Sequence, residues 1–300
     1  LRAGHSPALT RCWWGAVADV FSVFQKGTAM TILSSIRPFP TVLALFALGM
    51  APVSPLQAQE SGLVAGQETG KSFVETFSSL DKKRWYISDG WANGDHQNCT
   101  WAADQVKVAD GTLSLGFVRK ETKDRKHACA EIQTHARFGY GTYEARIKAV
   151  KGSGFNTGFF TYIGPTHKQP WDEIDFEFLG KDPSTVQLNS YVNGKGGNEK
   201  LVPVPGNADT AFNDYAFVWE KDRLRYYIDG KLVHTVANPA ALPTHAQKIY
   251  LSLWASDTLT SWLGKFSDPA EPVAAQFTRV AFTAPGDPCQ FPESVACSLK

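Results

Sequence analysis

The segment Trp171-Asp-Glu-Ile-Asp-Phe-Glu-Phe-Leu-Gly180 alternates strictly between acidic and apolar residues from Glu173 to Phe178. A period of two belongs to a β-strand, whose successive side chains point to opposite faces. Ile174, Phe176 and Phe178 therefore share one face, and Glu173, Asp175 and Glu177 share the other. Like-charged neighbours on a sheet face are destabilising, and no Lys or Arg lies within the segment to offset them. Chemistry has a use for such a face. Two carboxyl groups whose surroundings push their pKa values apart supply an acid and a nucleophile, the pair that cleaves a glycosidic bond. The competing reading is an acidic, solvated face of an ordinary strand.

The rest of the chain extends the same period. From Phe73 onward, short alternating runs rich in β-branched and aromatic residues are separated by turn residues. Gln105–Val108 and Thr112–Val118 flank Asp110-Gly111, Val186–Val192 precedes Asn193-Gly194, and Leu224–Ile228 and Lys231–Val236 flank Asp229-Gly230. Such Asx-Gly pairs between alternating runs are hairpin signals. Frequent strands with few helical periodicities predict an all-β sandwich or barrel. Within 237–246, Pro239 and Pro243 limit any helix to about one turn.

Ahead of this region, Arg37 is followed by the apolar run Val42-Leu-Ala-Leu-Phe-Ala-Leu-Gly-Met-Ala51 and by small and polar residues through Gln59. A basic region, a short apolar core and a small-residue cut site describe an export signal, and the run is shorter than the ~20 residues of a membrane span. We expect 1–29 to be upstream extension, 30–58 a signal peptide, 59–70 a flexible lead-in, 71–283 the catalytic domain and 284–300 a disulfide-closed tail. Lys plus Arg number 30 against 29 Asp plus Glu, a balance that argues against nucleic acid or an anionic membrane as partner. Cys12 falls in the upstream segment. The other four cysteines suggest disulfides outside the cell, Cys99 with Cys129 and Cys289 with Cys297, the latter closing a short loop. The chain has no Cys-x-x-Cys and its seven His are scattered, so no metal signature appears. Nine Trp and nine Tyr serve either as core or as platforms for sugar rings.

Several motifs together resemble glycoside hydrolase family 16, and within it the bacterial β-1,3-1,4-glucanases. They are Asn98-Cys-Thr-Trp101, Cys129-Ala-Glu131, Phe138-Gly-Tyr-Gly-Thr-Tyr-Glu144, Phe159-Phe-Thr-Tyr-Ile-Gly-Pro165, 171–182, Gly196-Gly-Asn-Glu-Lys200 and Trp262-Leu-Gly264. The resemblance spans about residues 71–283. It implies a β-jelly roll of two curved antiparallel sheets with a concave substrate cleft, and a secreted, endo-acting, retaining β-glycanase, expected to be a monomer. In that scheme Glu173 is the nucleophile, Glu177 the general acid/base, and Asp175 assists the nucleophile. The Cys99–Cys129 pairing matches the family's disulfide. Asn93, Glu131, Phe160, Tyr162, Trp171, Asn189, Tyr191, Trp254 and Trp262 fall where the family contacts sugar.

The chain departs from that pattern at Gln133, where the family has Arg, at Ser252, where it has Asn, and at Thr278, where it has a calcium-binding Asp. The remaining calcium ligands are main-chain carbonyls near Thr76 and Gly111, so a structural calcium is a possibility and no cofactor is required for the chemistry. Gln133 and Ser252 move the question to the sugar. They fit a branch of the family that acts on bacterial exopolysaccharide such as succinoglycan, in which Lys168, Lys195 and Lys200 meet acyl groups if they lie near the cleft and are otherwise solvated. Two other functions use the same scaffold: a non-catalytic carbohydrate-binding module, which has no use for the carboxylate pair, and a transglycosylase, which differs only in its acceptor.

Overall fold

The computed structural model describes residues 69–299. The expected export signal and upstream extension lie outside the described residues. Sixteen strands are present among them: β1 (Phe73–Glu75), β2 (Trp85–Ile87), β3 (Cys99–Trp101), β4 (Val106–Ala109), β5 (Thr112–Arg119), β6 (His127–Thr134), β7 (Gly141–Lys148), β8 (Phe155–Ile163), β9 (Asp172–Leu179), β10 (Thr185–Tyr191), β11 (Lys200–Pro203), β12 (Asn213–Trp219), β13 (Leu224–Ile228), β14 (Lys231–Val236), β15 (Lys248–Ala255) and β16 (Val273–Thr283). Hydrogen bonding orders the main path β11-β10-β9-β8-β15-β6-β5-β16-β7-β12-β13-β14. All pairs on this path are antiparallel; the short β3 alone runs parallel to its neighbour, β6.

The path folds over at the β5–β6 pairing, where Val118 meets Ala128 and Arg119 meets His127. This leaves β11 through β6 in one layer and β5 through β14 in the other. Residues at alternate positions of both layers form one core. Phe159 and Phe176, from β8 and β9, pack on Phe217 at ring-centroid distances of 5.8 and 6.5 Å, and Phe176 meets Tyr226 edge-on at 5.3 Å. Ile174, Phe176 and Phe178 are all buried in this cluster, as the alternation requires. The architecture is the two-sheet jelly roll.

The turn chemistry reads as the sequence suggests. Asp110-Gly111 and Asp229-Gly230 take positive φ at both positions (51° and 71°, 47° and 72°) and join β4 to β5 and β13 to β14. That backbone twist matches the strands it connects, and Gly adopts it at little cost. Asn193-Gly194 forms a similar turn (51° and 75°) but closes only the Val192–Lys195 bridge, before a longer excursion to β11. Gln105 belongs to a 3-10 turn, Ala103–Gln105, and not to the strand expected to begin there. The single turn expected in 237–246 is a 3-10 turn over Pro239–Ala241.

Both expected disulfides are formed, with Cα–Cα distances of 5.7 Å for Cys99–Cys129 and 5.1 Å for Cys289–Cys297. The second tightens a C-terminal tail docked on the outer sheet. There Glu144 accepts hydrogen bonds from Ser294 Oγ and from Val295 N (2.8 Å), and the Arg279 guanidinium sits 3.8 Å from the Phe291 ring centre.

Candidate active site

Glu173, Asp175 and Glu177 lie on the face of β9 turned away from the core, yet Glu173 and Asp175 are only 6% and 2% exposed. Burial on an outward face means that walls rise beside it. Trp171 and Tyr191 stack at 4.9 Å to make one wall, and Tyr162 meets Trp171 edge-on at 6.4 Å. Farther along, Trp254 and Trp262 lie 6.1 Å apart, and His96 packs on Trp254 at 5.7 Å.

Register across the antiparallel strands maps the floor, because directly opposed residues share a face. One row runs Tyr191, Glu173, Tyr162, Lys248. The next runs Asn189, Asp175, Phe160, Tyr250, Gln133. The third runs Gln187, Glu177, Gly158, Ser252, Glu131. Eight of the nine expected sugar contacts thus stand on these rows or in the aromatic walls. The ninth, Asn93, lies on the loop ahead of β3, where its N–H donates to Gln97 Oε1 (3.1 Å). Gln97 in turn donates to Cys99 O (2.9 Å), so the Cys99–Cys129 bridge ties this loop to the strand that carries Glu131. Phe160 and Trp254 are half-buried at cleft-face positions of β8 and β15, and Trp254 also packs against the edge of the core.

Two hydrogen-bond donors differentiate the carboxyl groups. Trp171 Nε1 donates to Glu173 Oε2 at 2.6 Å, and Asn156 Nδ2 donates to Glu177 Oε1 at 3.2 Å. Asp175 Oδ2 is buried with no hydrogen-bond partner. Burial is the largest influence on all three, and it favours the neutral forms. It lifts Glu177 to about 8, with the charge on Glu173 adding to the effect. Asp175 is pushed well above the carboxylate range by burial and then by both glutamates, so it holds a proton and shares it with Glu173. Glu173 is raised by burial, but the hydrogen bonds from Trp171 and Asp175 act the other way and favour its anion. Desolvation, more than the adjacent negative charge, raises Glu177.

The two departures expected to alter sugar contacts are both buried in the floor. Gln133 Oε1 accepts a hydrogen bond from Lys248 Nζ at 3.0 Å. Ser252 Oγ has no partner and lies against Gly158, where an added Cβ would fall 2.8 Å from it. A side chain at Gly158 would fill the open floor between Glu177 and Ser252. Glu131, at 2% exposure, accepts from Ser88 Oγ at 2.6 Å and is lifted by burial to about 7. Lys168, Lys195 and Lys200 are exposed.

Several cleft residues escaped the sequence reading. Gln187 accepts from Trp262 Nε1 at 3.0 Å, and its parity with Asn189 and Tyr191 was the available signal. Tyr250 stacks on Phe160 at 4.9 Å and shares parity with Ser252 and Trp254. Glu199 lies 3.5 Å from Asn189 Nδ2 and adds negative potential at Asp175 and Glu177, a placement that only the loop path creates.

The possible calcium ligands are partly assembled. A Cβ on Gly111 would lie 3.6 Å from Thr76 O, so these two loops do meet. Thr278 Oγ1 is buried without a partner, but it is a neutral hydroxyl where the ion's charge calls for a carboxylate. This neutral donor set does not fit calcium.

Comparison with known proteins converges on one family. The model for glycosyl hydrolases family 16 matches residues 93–268. An endo-1,3-1,4-beta-glycanase, ExoK, of Rhizobium meliloti is 62% identical over 230 residues, covering 77% of this chain and 85% of that protein. A Bacillus subtilis beta-glucanase is 40% identical over 222 residues, covering 73% and 89%. Among solved structures, the Bacillus licheniformis beta-glucanase aligns with a TM-score of 0.68 at 37% identity, over 72% of this chain and all of that one (100%). A Thermotoga petrophila laminarinase catalytic domain at 19% identity and a TM-score of 0.62, covering 72% of this chain and 98% of its own, shares the fold.

Proposed function

The chain belongs to glycosyl hydrolases family 16, and from that premise we propose that it is a secreted, endo-acting β-glycanase that cleaves its polymer with retention of configuration. The observation that supports the mechanism is the alternating β9 face, which carries Glu173, hydrogen-bonded by Trp171 and Asp175, and Glu177, lifted further by burial to about 8, on one walled cleft floor. A polymer lies across the strands, its sugar rings against Trp171, Tyr191, Tyr162 and the Trp254–Trp262 pair. Glu173 attacks the anomeric carbon as Glu177 gives its proton to the departing glycosidic oxygen. The bond to that oxygen breaks and a glycosyl ester on Glu173 forms. Glu177, now a carboxylate, takes a proton from water, whose oxygen displaces Glu173 and restores both groups. Asp175 passes hydrogen-bond strength to Glu173 according to the charge that Glu173 carries.

The substrate class proposed is a β-1,3-1,4-type glucan or a bacterial exopolysaccharide such as succinoglycan. The 62% identity to an endo-1,3-1,4-beta-glycanase supports it. Export is proposed from the sequence ahead of Gln59 and is supported by the disulfides, which persist in oxidising compartments.

Incubating the protein with lichenan, laminarin, agarose and succinoglycan, and following product size and anomer by NMR, tests this. The expected outcome is a rapid fall in polymer size with β-anomeric product appearing first. Initial α-anomer would overturn retention. Release of small units without an early fall in size would overturn the endo mode. Transfer of glycosyl units to added sugar in preference to water would identify a transglycosylase, and binding without cleavage a carbohydrate-binding module.

A further inference from the structure

Two basic side chains stand at one end of the cleft floor, outside the residues assigned to the reaction. Lys248 opens β15; its register partner is Tyr162, whose partner on β9 is Glu173. Lys248 therefore faces the cleft two strands from the nucleophile, ~10 Å at ordinary strand spacing. It is half-buried, and its ammonium donates to the neutral Gln133. Arg137 comes next. Phe138 bridges Gln247 in antiparallel sense, which places Arg137 opposite Lys248. Neither cation belongs to an ion pair among the described residues.

Opposed like charges on a sheet repel, and the effect is registered on both sides of the cleft. Partial burial and then Arg137 hold the Lys248 ammonium below its usual range, and Glu131 offsets only part of this. His167, its ring 5.9 Å from Tyr162, is driven down to about 4 by burial and by the two cations, so it is a neutral imidazole at neutral pH. Tyr162, Tyr250, His167 and Gln133 around the two cations are neutral, and Glu131, the carboxyl that acts on Lys248, is lifted by burial to about 7 and forms no ion pair with it. Two half-buried cations in a substrate cleft, facing each other and lacking a carboxylate partner, leave room for an anion that arrives with the substrate.

We propose that Lys248 and Arg137 form an anion subsite of the cleft, which takes a carboxylate carried as a substituent on the glycan. A carboxylate suits this place better than a doubly charged phosphate, because Glu131 is near enough to repel the second charge. Lys168, Lys195 and Lys200, the other basic residues of interest, are exposed, whereas Lys248 and Arg137 are half-buried. The inference rests on the endo-glycanase reading, since it takes Glu173 as the point of cleavage.

The test reads binding apart from turnover. In a Glu173→Gln background, calorimetry compares neutral mixed-linkage β-glucan oligosaccharides with their carboxymethylated counterparts. We expect the carboxymethylated chain to bind ~10-fold more tightly, the scale of a hydrogen bond to a charged group, with the preference shrinking as salt is raised. Adding Lys248→Met or Arg137→Gln collapses the ratio. Lys231→Met, an equal charge change on β14 in the other sheet, preserves it. The subsite is overturned by equal binding of the two glycans, by a ratio that survives both cleft substitutions, or by an equal loss with Lys231→Met. Should the wild-type protein cleave no glycan while the ratio behaves as expected, the anion subsite stands and the hydrolase reading falls. Cleavage without any preference for the acidic chain sinks the subsite alone.

Discussion

Asp172 and Asp175 sit three residues apart on β9, both buried, and their surroundings are opposite. Asp172 lies at the strand's end and is saturated with donors: Asn193 N at 2.9 Å, Thr244 N at 3.0 Å, His245 N at 3.2 Å and His245 Nδ1 at 2.8 Å. It fastens two loops to one point. Glu75 and Glu144 are anchored in the same way, by Arg84 and Trp85 and by the C-terminal tail. Asp175 has carboxylates as neighbours and one oxygen without a partner. A buried carboxyl group that is fully hydrogen-bonded holds structure together, whereas one left short of partners is retained at a cost to stability. The contrast separates carboxylates that build the cleft from those proposed to work in it.

The largest effect should come from the working pair. Glu173→Gln and Glu177→Gln should each lower kcat by ~10³-fold or more, with an unchanged circular dichroism spectrum; near wild-type turnover in either would reject the assigned roles. The next test sets the two aspartates against each other. Asp175→Asn should cost up to ~10²-fold in kcat, as expected for a mispositioned nucleophile, and leave the melting temperature unchanged or raised. Asp172→Asn should instead cost ~2–4 kcal/mol of stability through its lost charge-assisted bonds. If the two variants exchanged these phenotypes, the division between anchors and working groups would be wrong.

A smaller effect concerns pH. The acid role needs protonated Glu177, so kcat/KM should fall about tenfold per unit above about pH 8, where that group loses its proton. A profile flat to pH 10 would remove Glu177 as the acid. The last effect is at Glu131. Its folded pKa, about 7, lies above the ordinary value of 4.5, so the folded state binds the extra proton between those values. Stability linked to it is full below about pH 4.5 and is lost as pH rises through about 7. Glu131→Gln should therefore compare least favourably with wild type near pH 4 and gain on it by ~3 kcal/mol between there and pH 8 in denaturant titration. An equal difference at both pH values would mean that Glu131 does not titrate in this range.

Much of this was legible along the chain because a strand's geometry is local. Alternation at 171–180 reported which residues face the core, and the Asp-Gly pairs reported where the chain reverses. Parity also offered Gln187 and Tyr250, although they went unread. Nothing local identified Asp172, which breaks the alternation at its start and acts on loops about twenty and seventy residues away. The error at Gln105 has a similar origin, since its buried side chain packs beside Gly116 on a neighbouring strand.

By itself, then, the sequence determined the period-two strands, the two-faced character of β9 and the motifs that carry the family. These depend on bond geometry and residue chemistry, which each segment carries with it. The tertiary structure alone decided which carboxyl holds a proton, which cations face each other without an anion, and which loops wall the cleft. Desolvation and Coulomb energy depend on distances between residues far apart in the chain, and those distances exist only after the sheets have paired.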